Sequence, residues 1–290
     1  MNTISTATYS DVWRKKYYAA KMQTVLRKAL VCEKICEVDN SGSYYITNPY
    51  INQGTAKVSA TDGSYSISAW TTTEDALTVS DEVTKGGHVY DFERTLAHFD
   101  LFSARADEQA YAVAAAIDLY VLNNLTEAAT TTYTTPAGGF TTSANIVKIF
   151  ADLLGKVAGY ADTWKGYFLV VENTDVTGII QAQGAQGFNM ADLALRNGLI
   201  GNYMGVDIYV VRTGTFVDGS AAQQGSTTFT NNGLRVFGVK GVSTYANPGG
   251  IKYEEKGVTL KTGMEIVNFG YVGFKLWTQK AALVVEITLA

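Results

Sequence analysis

The residues in this chain that could do chemistry are two histidines, two cysteines and four pairs of adjacent acids. His88 follows Gly86-Gly87, and His98 stands just ahead of a long helical stretch. A hydrolytic triad sets a histidine beside a nucleophile and an orienting acid. No G-x-S-x-G elbow accompanies either histidine, so both are read as structural. Cys32 and Cys36 fall one helical turn apart on one face, the spacing of a redox or metal pair. No histidine or third cysteine lies nearby, so they are read as two small semi-buried residues. The acid pairs are Glu74-Asp75, Asp81-Glu82, Asp107-Glu108 and Glu254-Glu255. Neighbours on a strand or helix point apart, so each pair makes a solvated edge rather than a metal site or a pair of catalytic carboxylates. Gly201-x-x-x-Gly205 has neither the Lys-Ser/Thr of a P-loop nor the G-x-G-x-x-G of a dinucleotide turn. Basic and aromatic residues do not interleave as on an RNA-binding sheet. The expectation is a protein that is not an enzyme and has no cofactor or metal.

Bulk properties point the same way. The chain has 290 residues, 47% hydrophobic and 12% aromatic, which is ample for a packed core. Only 17% are charged, while Tyr (18) and Gly (28) are abundant and Pro (3) is scarce. Few charges with many Tyr, Thr and Gly suggest β-structure with much surface buried against other chains. A net charge of −4 excludes a nucleic-acid polycation. Two cysteines make no disulfide scaffold, which implies a reducing compartment. No apolar run reaches ~18 residues and the N-terminus lacks a signal-peptide core, so neither membrane nor export is expected.

The elements that must position these residues are organised around residues 99–129, FDLFSARADEQAYAVAAAIDLYVLNNLTEAA. Ala106, Ala110, Val113, Ile117, Val121 and Leu125 recur at steps of three and four, one stripe of an α-helix. Asp100 or Ser103 can cap its start, and some 26 residues would run ~39 Å. Ahead of it, residues 1–36 form an arm. Its basic residues Arg14, Lys15, Lys16, Lys21, Arg27, Lys28 and Lys34 oppose only Asp11 and Glu33. Residues 43–95 predict a long hairpin. Tyr65, Ile67 and Ala69 alternate with serines, TTTED makes a polar turn, and Gly86-Gly87 breaks the returning ladder. Such a ribbon cannot bury enough surface alone and must be held from outside its own subunit. Further on, helices follow Ser143 and Thr174 or Asp175. KGYFLVVEN reads as a sheet-centre strand, QAQGAQGFN as a loop, and 214–233 as a surface insertion. A sheet-plus-helices unit spans 131–262. The chain ends in two strands joined near Thr278–Lys280, expected to lie together beside the long helix.

The order of these elements is familiar. A basic arm leads to a hairpin ending in HVYDFERT and a helix closing with AAAIDLYVLNNL. GYFLVVENTDVTGIIQ, NGLIGNYMGVDIYVV and a terminal YVGFKLWTQKAALVVEI follow. This resembles the major capsid proteins of tailed bacteriophages, the Hong Kong 97-type fold, over nearly the whole chain. The resemblance implies an α+β fold with four parts. Residues 1–42 would be the N-terminal arm and 57–93 the extended loop. Residues 43–56, 94–130 and 263–290 would make a peripheral domain with a spine helix, and 131–262 the axial domain. It implies a homo-oligomer of pentamers and hexamers in an icosahedral shell packed with double-stranded DNA, without sequence readout. Location would be the virion, with assembly in the host cytoplasm. A separate scaffolding protein and a portal are implied, and a decoration protein is an open partner. Some relatives join the extended loop to a neighbour through a Lys–Asn isopeptide bond; neither Lys85 nor Asn268 is matched to that chemistry here.

The subunit-contact candidates are Trp13, Arg14 and Tyr17 in the arm, and Tyr65, Ile67, Trp70, Glu74, Asp75, Lys85 and Phe92 in or beside the hairpin. Three rivals stand beside the capsid subunit: an encapsulin-like compartment shell around protein cargo, an α/β enzyme built on 131–262, and a surface or tail-tube protein.

Overall fold

A computed structural model describes residues 31–39, 41–51, 72–91, 101–159, 165–185, 199–216, 234–257 and 262–290. In chain order a short helix α1 (Cys32–Ile35) leads to strands β1 (Glu37–Asp39), β2 (Tyr45–Ile51), β3 (Thr72–Thr78) and β4 (Asp81–Val89). The long helix α2 (Leu101–Glu127) follows, then β5 (Thr131–Thr134), α3 (Ser143–Val157), β6 (Tyr167–Glu172) and α4 (Val176–Ala185). Next come β7 (Leu199–Tyr203), β8 (Val206–Val211), β9 (Arg235–Val239), β10 (Ser243–Ala246), β11 (Lys252–Gly257) and β12 (Met264–Leu276). A 3₁₀ turn (Thr278–Leu283) and β13 (Val284–Thr288) close the chain. The α+β class expected from the sequence is what the chain adopts.

Helix α2 has 27 residues, about 40 Å at 1.5 Å each. Val113, Ile117, Val121 and Leu125 of the expected stripe are buried, and Ala116 and Leu122 widen it. Ser103 is the third residue of the helix and not its cap; Asp100 lies outside the described residues.

Six strands form one sheet in the order β5-β13-β9-β6-β8-β7. Alternation along β6 explains why its sequence is wholly apolar. Phe168 and Val170 face α2 in one core. Leu169 and Val171 face Ile146, Ile149, Phe150 and Leu153 of α3, with Ile179 of α4, in the other. A second sheet runs β1-β10-β12-β11, with β4 paired along β12. Helix α2 also packs on this sheet, where Val83, Val272 and Tyr245 join its core.

One buried contact ties α1 to the long helix. The Asp118 carboxylate, on α2, accepts hydrogen bonds from the backbone N–H groups of Val31 (3.1 Å) and Cys32 (2.6 Å). It thereby satisfies donors that a helix start leaves open. Burial pushes its pKa up; the two N–H groups pull the other way without cancelling it.

Several expectations need correction. The terminal strands part company: β12 lies in the five-stranded sheet, and β13 pairs parallel with β5 and antiparallel with β9 in the six-stranded one. The 3₁₀ turn, with Ala281 and Leu283 buried, carries the chain between them. Residues 243–257, expected within the 131–262 unit, supply β10 and β11 to the five-stranded sheet. TTTED is not a turn, since Thr72–Asp75 pair with Asn48–Ile51. Gly86-Gly87 does not break its ladder, because both pair with β12 at Val267 and Ile266. The glycines allow close approach. With its amide turned so that nitrogen faces Ile266 O and oxygen faces Gly87 N, each at 3.2 Å, the Gln109 side chain from α2 donates to the first and accepts from the second. A Cβ on Gly87 would collide with it. Gln181–Ala185, read as the start of a loop, finish α4.

Candidate subunit-contact surface

The two-stranded sheet of β2 and β3 stands apart from both larger sheets. It pairs in register from Tyr45↔Thr78 to Ile51↔Thr72. Tyr44 and Tyr45 at its base are 52% and 59% exposed, unusual for aromatic rings in a chain with ample core. Its root is apolar: Leu77 is buried with Ala246 and Trp277, flanked by Ile46 and Val79.

Beside that root sits Asp75. Its Oδ2 accepts from the Thr278 N–H (2.9 Å) and hydroxyl (2.8 Å), and its Oδ1 pairs with the Lys275 ammonium at 2.9 Å. Burial pushes this carboxyl up, but the Thr278 and Lys275 donors outweigh it and hold the pKa below the usual carboxylate value. Asp75, a sequence candidate for contact with a neighbour, thus binds its own chain. Glu74 next to it is exposed. Lys85 is exposed and faces Asn268 across the β4–β12 ladder of the same chain. Asn268 is buried, its amide donating to Ala106 O of α2 (3.2 Å). Trp13, Arg14, Tyr17, Tyr65, Ile67, Trp70 and Phe92 lie outside the described residues, as does His98.

A second exposed feature includes Glu254-Glu255, the pair expected to make a solvated edge. Strand β11 forms an edge of the five-stranded sheet, and all six of its residues are exposed. KYEEK carries four charges in five residues, and Lys256 pairs with Glu254 at 3.1 Å. That charge density on a strand was the available signal, since charged side chains guard edges. On the neighbouring β12, Phe269 and Tyr271 meet edge to face at 5.9 Å. Tyr44 adds a further edge contact to Tyr271 at 6.1 Å, and the Lys252 ammonium sits 5.7 Å from that ring.

Of the residues weighed for chemistry, His88, Cys32 and Cys36 are among the described ones. His88 packs against Tyr90 with ring centroids 4.3 Å apart, and both its ring nitrogens are buried with no hydrogen-bond partner. Cys32 and Cys36 are free and buried. Burial and the Asp118 carboxylate raise the Cys32 pKa; burial pushes that of Cys36 up to about 12, against the pull of the Ser243 hydroxyl. Sequence reasoning missed a buried ion network. Arg235 binds Asp175 through Nε and Glu172 at 3.4 Å, and Glu172 accepts from Gly214 N at 2.9 Å. Among the described residues no group of three His, Cys, Asp or Glu is arranged to hold a metal ion, and no helix is long and apolar enough to cross a membrane.

No protein-family model and no curated protein matches the sequence. Solved structures do. The structure titled Mycobacterium phage Che8 is 16% identical with a TM-score of 0.72, covering 93% of this chain and 95% of that one. The capsid of the native GTA particle is 15% identical with a TM-score of 0.69 and full coverage of both chains. The capsid of cyanophage P-SCSP1u is 14% identical with a TM-score of 0.68, covering 94% and 92%. Shared shape at such low identity establishes the fold: the chain carries that of the tailed-phage major capsid proteins.

Proposed function

We propose that this chain is a major capsid protein that self-assembles into a closed icosahedral shell around the double-stranded DNA of a tailed phage. One observation carries the proposal: the likeness to the native GTA capsid structure covers the whole of both chains, and that to the cyanophage capsid covers 94% of this chain and 92% of that one. The mechanism is mechanical. The β2–β3 ribbon and the β11 edge lie over neighbouring copies, so each subunit buries more than a standard ~1,600 Å² contact, and many modest contacts add through multivalency. Glu74 and Lys85, exposed near the ribbon, are contact candidates, along with Trp13, Arg14, Tyr17, Tyr65, Ile67, Trp70 and Phe92. DNA is contained rather than read, so any contact is to phosphate and sensitive to salt.

In this proposal the six-stranded sheet with α3 and α4 is the axial part, facing five- and six-fold axes. The five-stranded sheet and α2 are the peripheral part, residues 1–42 the arm, and the ribbon the base of the extended loop. A scaffolding protein and a portal are the further partners, the virion is the destination, and the chain does no catalysis.

Electron microscopy of the purified chain tests the proposal, with closed shells or their pentameric and hexameric units expected. A monodisperse monomer at high concentration would overturn it. Nuclease-protected DNA inside particles from phage-infected cells separates this function from a compartment around protein cargo. A trimmed ribbon gives a finer test. Because Ile51 pairs with Thr72, joining these two residues by a short Gly-Asn turn removes 52–71 and leaves β4 on β12. The trimmed chain should keep its melting temperature and lose shell formation; normal shells would contradict the proposal.

A further inference from the structure

The ribbon is joined to the body by little covalent structure. Among the described residues β3 pairs with β2 and β4 with β12, so on one side the chain passes from ribbon to sheet through Val79-Ser80. On the other side, residues 41–44 lead into β2, with Gly42 at φ +74°. A two-stranded ribbon is marginal by itself, so its direction depends on what holds its root. Two features do so. The first is the apolar contact of Leu77 and Val79, which press on Gly273 so closely that a Cβ there would lie 2.8 Å from Val79 Cγ2. Apolar contact is not directional and fixes a position more than an angle. The second is Asp75: besides the N–H of its neighbour Ala76, which donates to Oδ1 at 3.1 Å, it holds three donor groups from one short stretch, Lys275 to Thr278, where β12 ends. Both carboxylate oxygens are engaged, from two directions, by donors on rigid backbone and on the adjoining strand. Hydrogen bonds and ion pairs of that kind constrain orientation.

We propose that Asp75 is the positioning residue of the ribbon: its clamp on Lys275 and Thr278 sets the direction in which the ribbon leaves the body. This rests on the shell-subunit function proposed above, and it goes further by giving the ribbon a preset direction before any neighbour arrives. The clamp sits at 11% side-chain exposure for Asp75 and 34% for Lys275. Water therefore screens the lysine partly, and the two Thr278 bonds carry the directional part.

The test uses the full chain in its unassembled form. Amide hydrogen exchange is followed in three places: the ribbon (45–51 and 72–78), Thr278, and the central strands β6 and β9 as an internal reference. Asp75→Ala should speed exchange of the ribbon and of Thr278 N–H at least tenfold and leave β6 and β9 unchanged. Asp75→Asn keeps an oxygen acceptor and loses the charge, so its effect should be smaller. Lys275→Met should fall between wild type and Asp75→Ala. In assembly, Asp75→Ala should give malformed or open particles where wild type gives closed ones. Unchanged ribbon exchange in Asp75→Ala would overturn the proposal. So would an equal rise in exchange across β6 and β9 in both Asp75→Ala and the milder Lys275→Met, which would mark general loss of stability. If wild type itself forms no shells, the shell function fails, while the exchange comparison still decides the role of Asp75.

Discussion

Replacing Asp118 by alanine separates what this buried carboxylate does from what it costs. The side chain is 5% exposed and serves two backbone donors, Val31 N at 3.1 Å and Cys32 N at 2.6 Å. Alanine leaves both N–H groups buried without an acceptor, at about 1–3 kcal/mol each, or roughly 2–6 kcal/mol together. Against this stands relief from burying a charge, a term whose direction the raised pKa gives. The expected net loss is about 2–4 kcal/mol, above the roughly 0.5–2 kcal/mol of an ordinary helix cap because two buried donors are stranded. Asparagine keeps an acceptor oxygen and sheds the charge, so Asp118→Asn should lie within about 1 kcal/mol of wild type at pH 7. The pH dependence has a definite sign. The folded pKa lies above the unfolded one, so the folded chain binds the proton more tightly. The stability this contributes is present below the unfolded value and is lost as pH rises through the folded value. Lowering the pH from 7 toward 4 should therefore move wild type upward relative to Asp118→Asn. Urea unfolding of the unassembled chain, compared at equal slope, reads all three proteins. An Asp118→Ala midpoint equal to wild type, or Asp118→Asn as damaging as alanine, would refute this account of the Asp118 contact.

Cys32 and Cys36 are buried with raised pKa values, so thiol reagents at pH 8 should label them at rates set by unfolding, and fully only in denaturant. Rapid labelling of the folded chain would contradict their packing. Gly178 on α4 has Phe140 O and the Thr141 backbone where a Cβ would stand; backbone cannot step aside as a side-chain tip can. Gly178→Ala should therefore cost at least about 2–3 kcal/mol in urea unfolding. In the buried Glu172–Asp175–Arg235 network, Asp175→Ala should cost about 3–5 kcal/mol by stranding the arginine. Asp175→Ala combined with Arg235→Met should recover part of that in a double-mutant comparison, and strict additivity would dismiss the coupling.

Features governed by local periodicity were legible in the sequence. Helix α2 announced itself through Val113, Ile117, Val121 and Leu125, and α3 through Ile146, Ile149, Phe150 and Leu153, because a buried face repeats at the helical period. KGYFLVVEN read as a central strand because both of its faces are buried. What escaped depends on partners far along the chain. Asp75 meets Thr278 across 203 positions, and Asp118 meets Cys32 across 86. Gly86-Gly87 looked like a break because glycine weakens an isolated strand. In the fold the same absence of side chain lets the Gln109 amide reach the ladder. The two terminal strands were assigned together because they are adjacent in sequence, and a six-residue 3₁₀ turn is enough to send them to different sheets.

That division of the last two strands has a mechanical consequence. Strand β12 holds β4, and with it the foot of the ribbon, through nine paired positions. Strand β13 closes one side of the six-stranded sheet between β5 and β9. The turn between them contains Thr278, the residue that Asp75 grips. A displacement of the ribbon is therefore transmitted to the one stretch that links both sheets at the chain's end, while α2 packs against both and resists their separation. Stiffness of the body and direction of the ribbon thus share a junction. Substitutions at Lys275, Trp277 or Thr278 should disturb ribbon direction more than substitutions of equal size on the exposed face of α3.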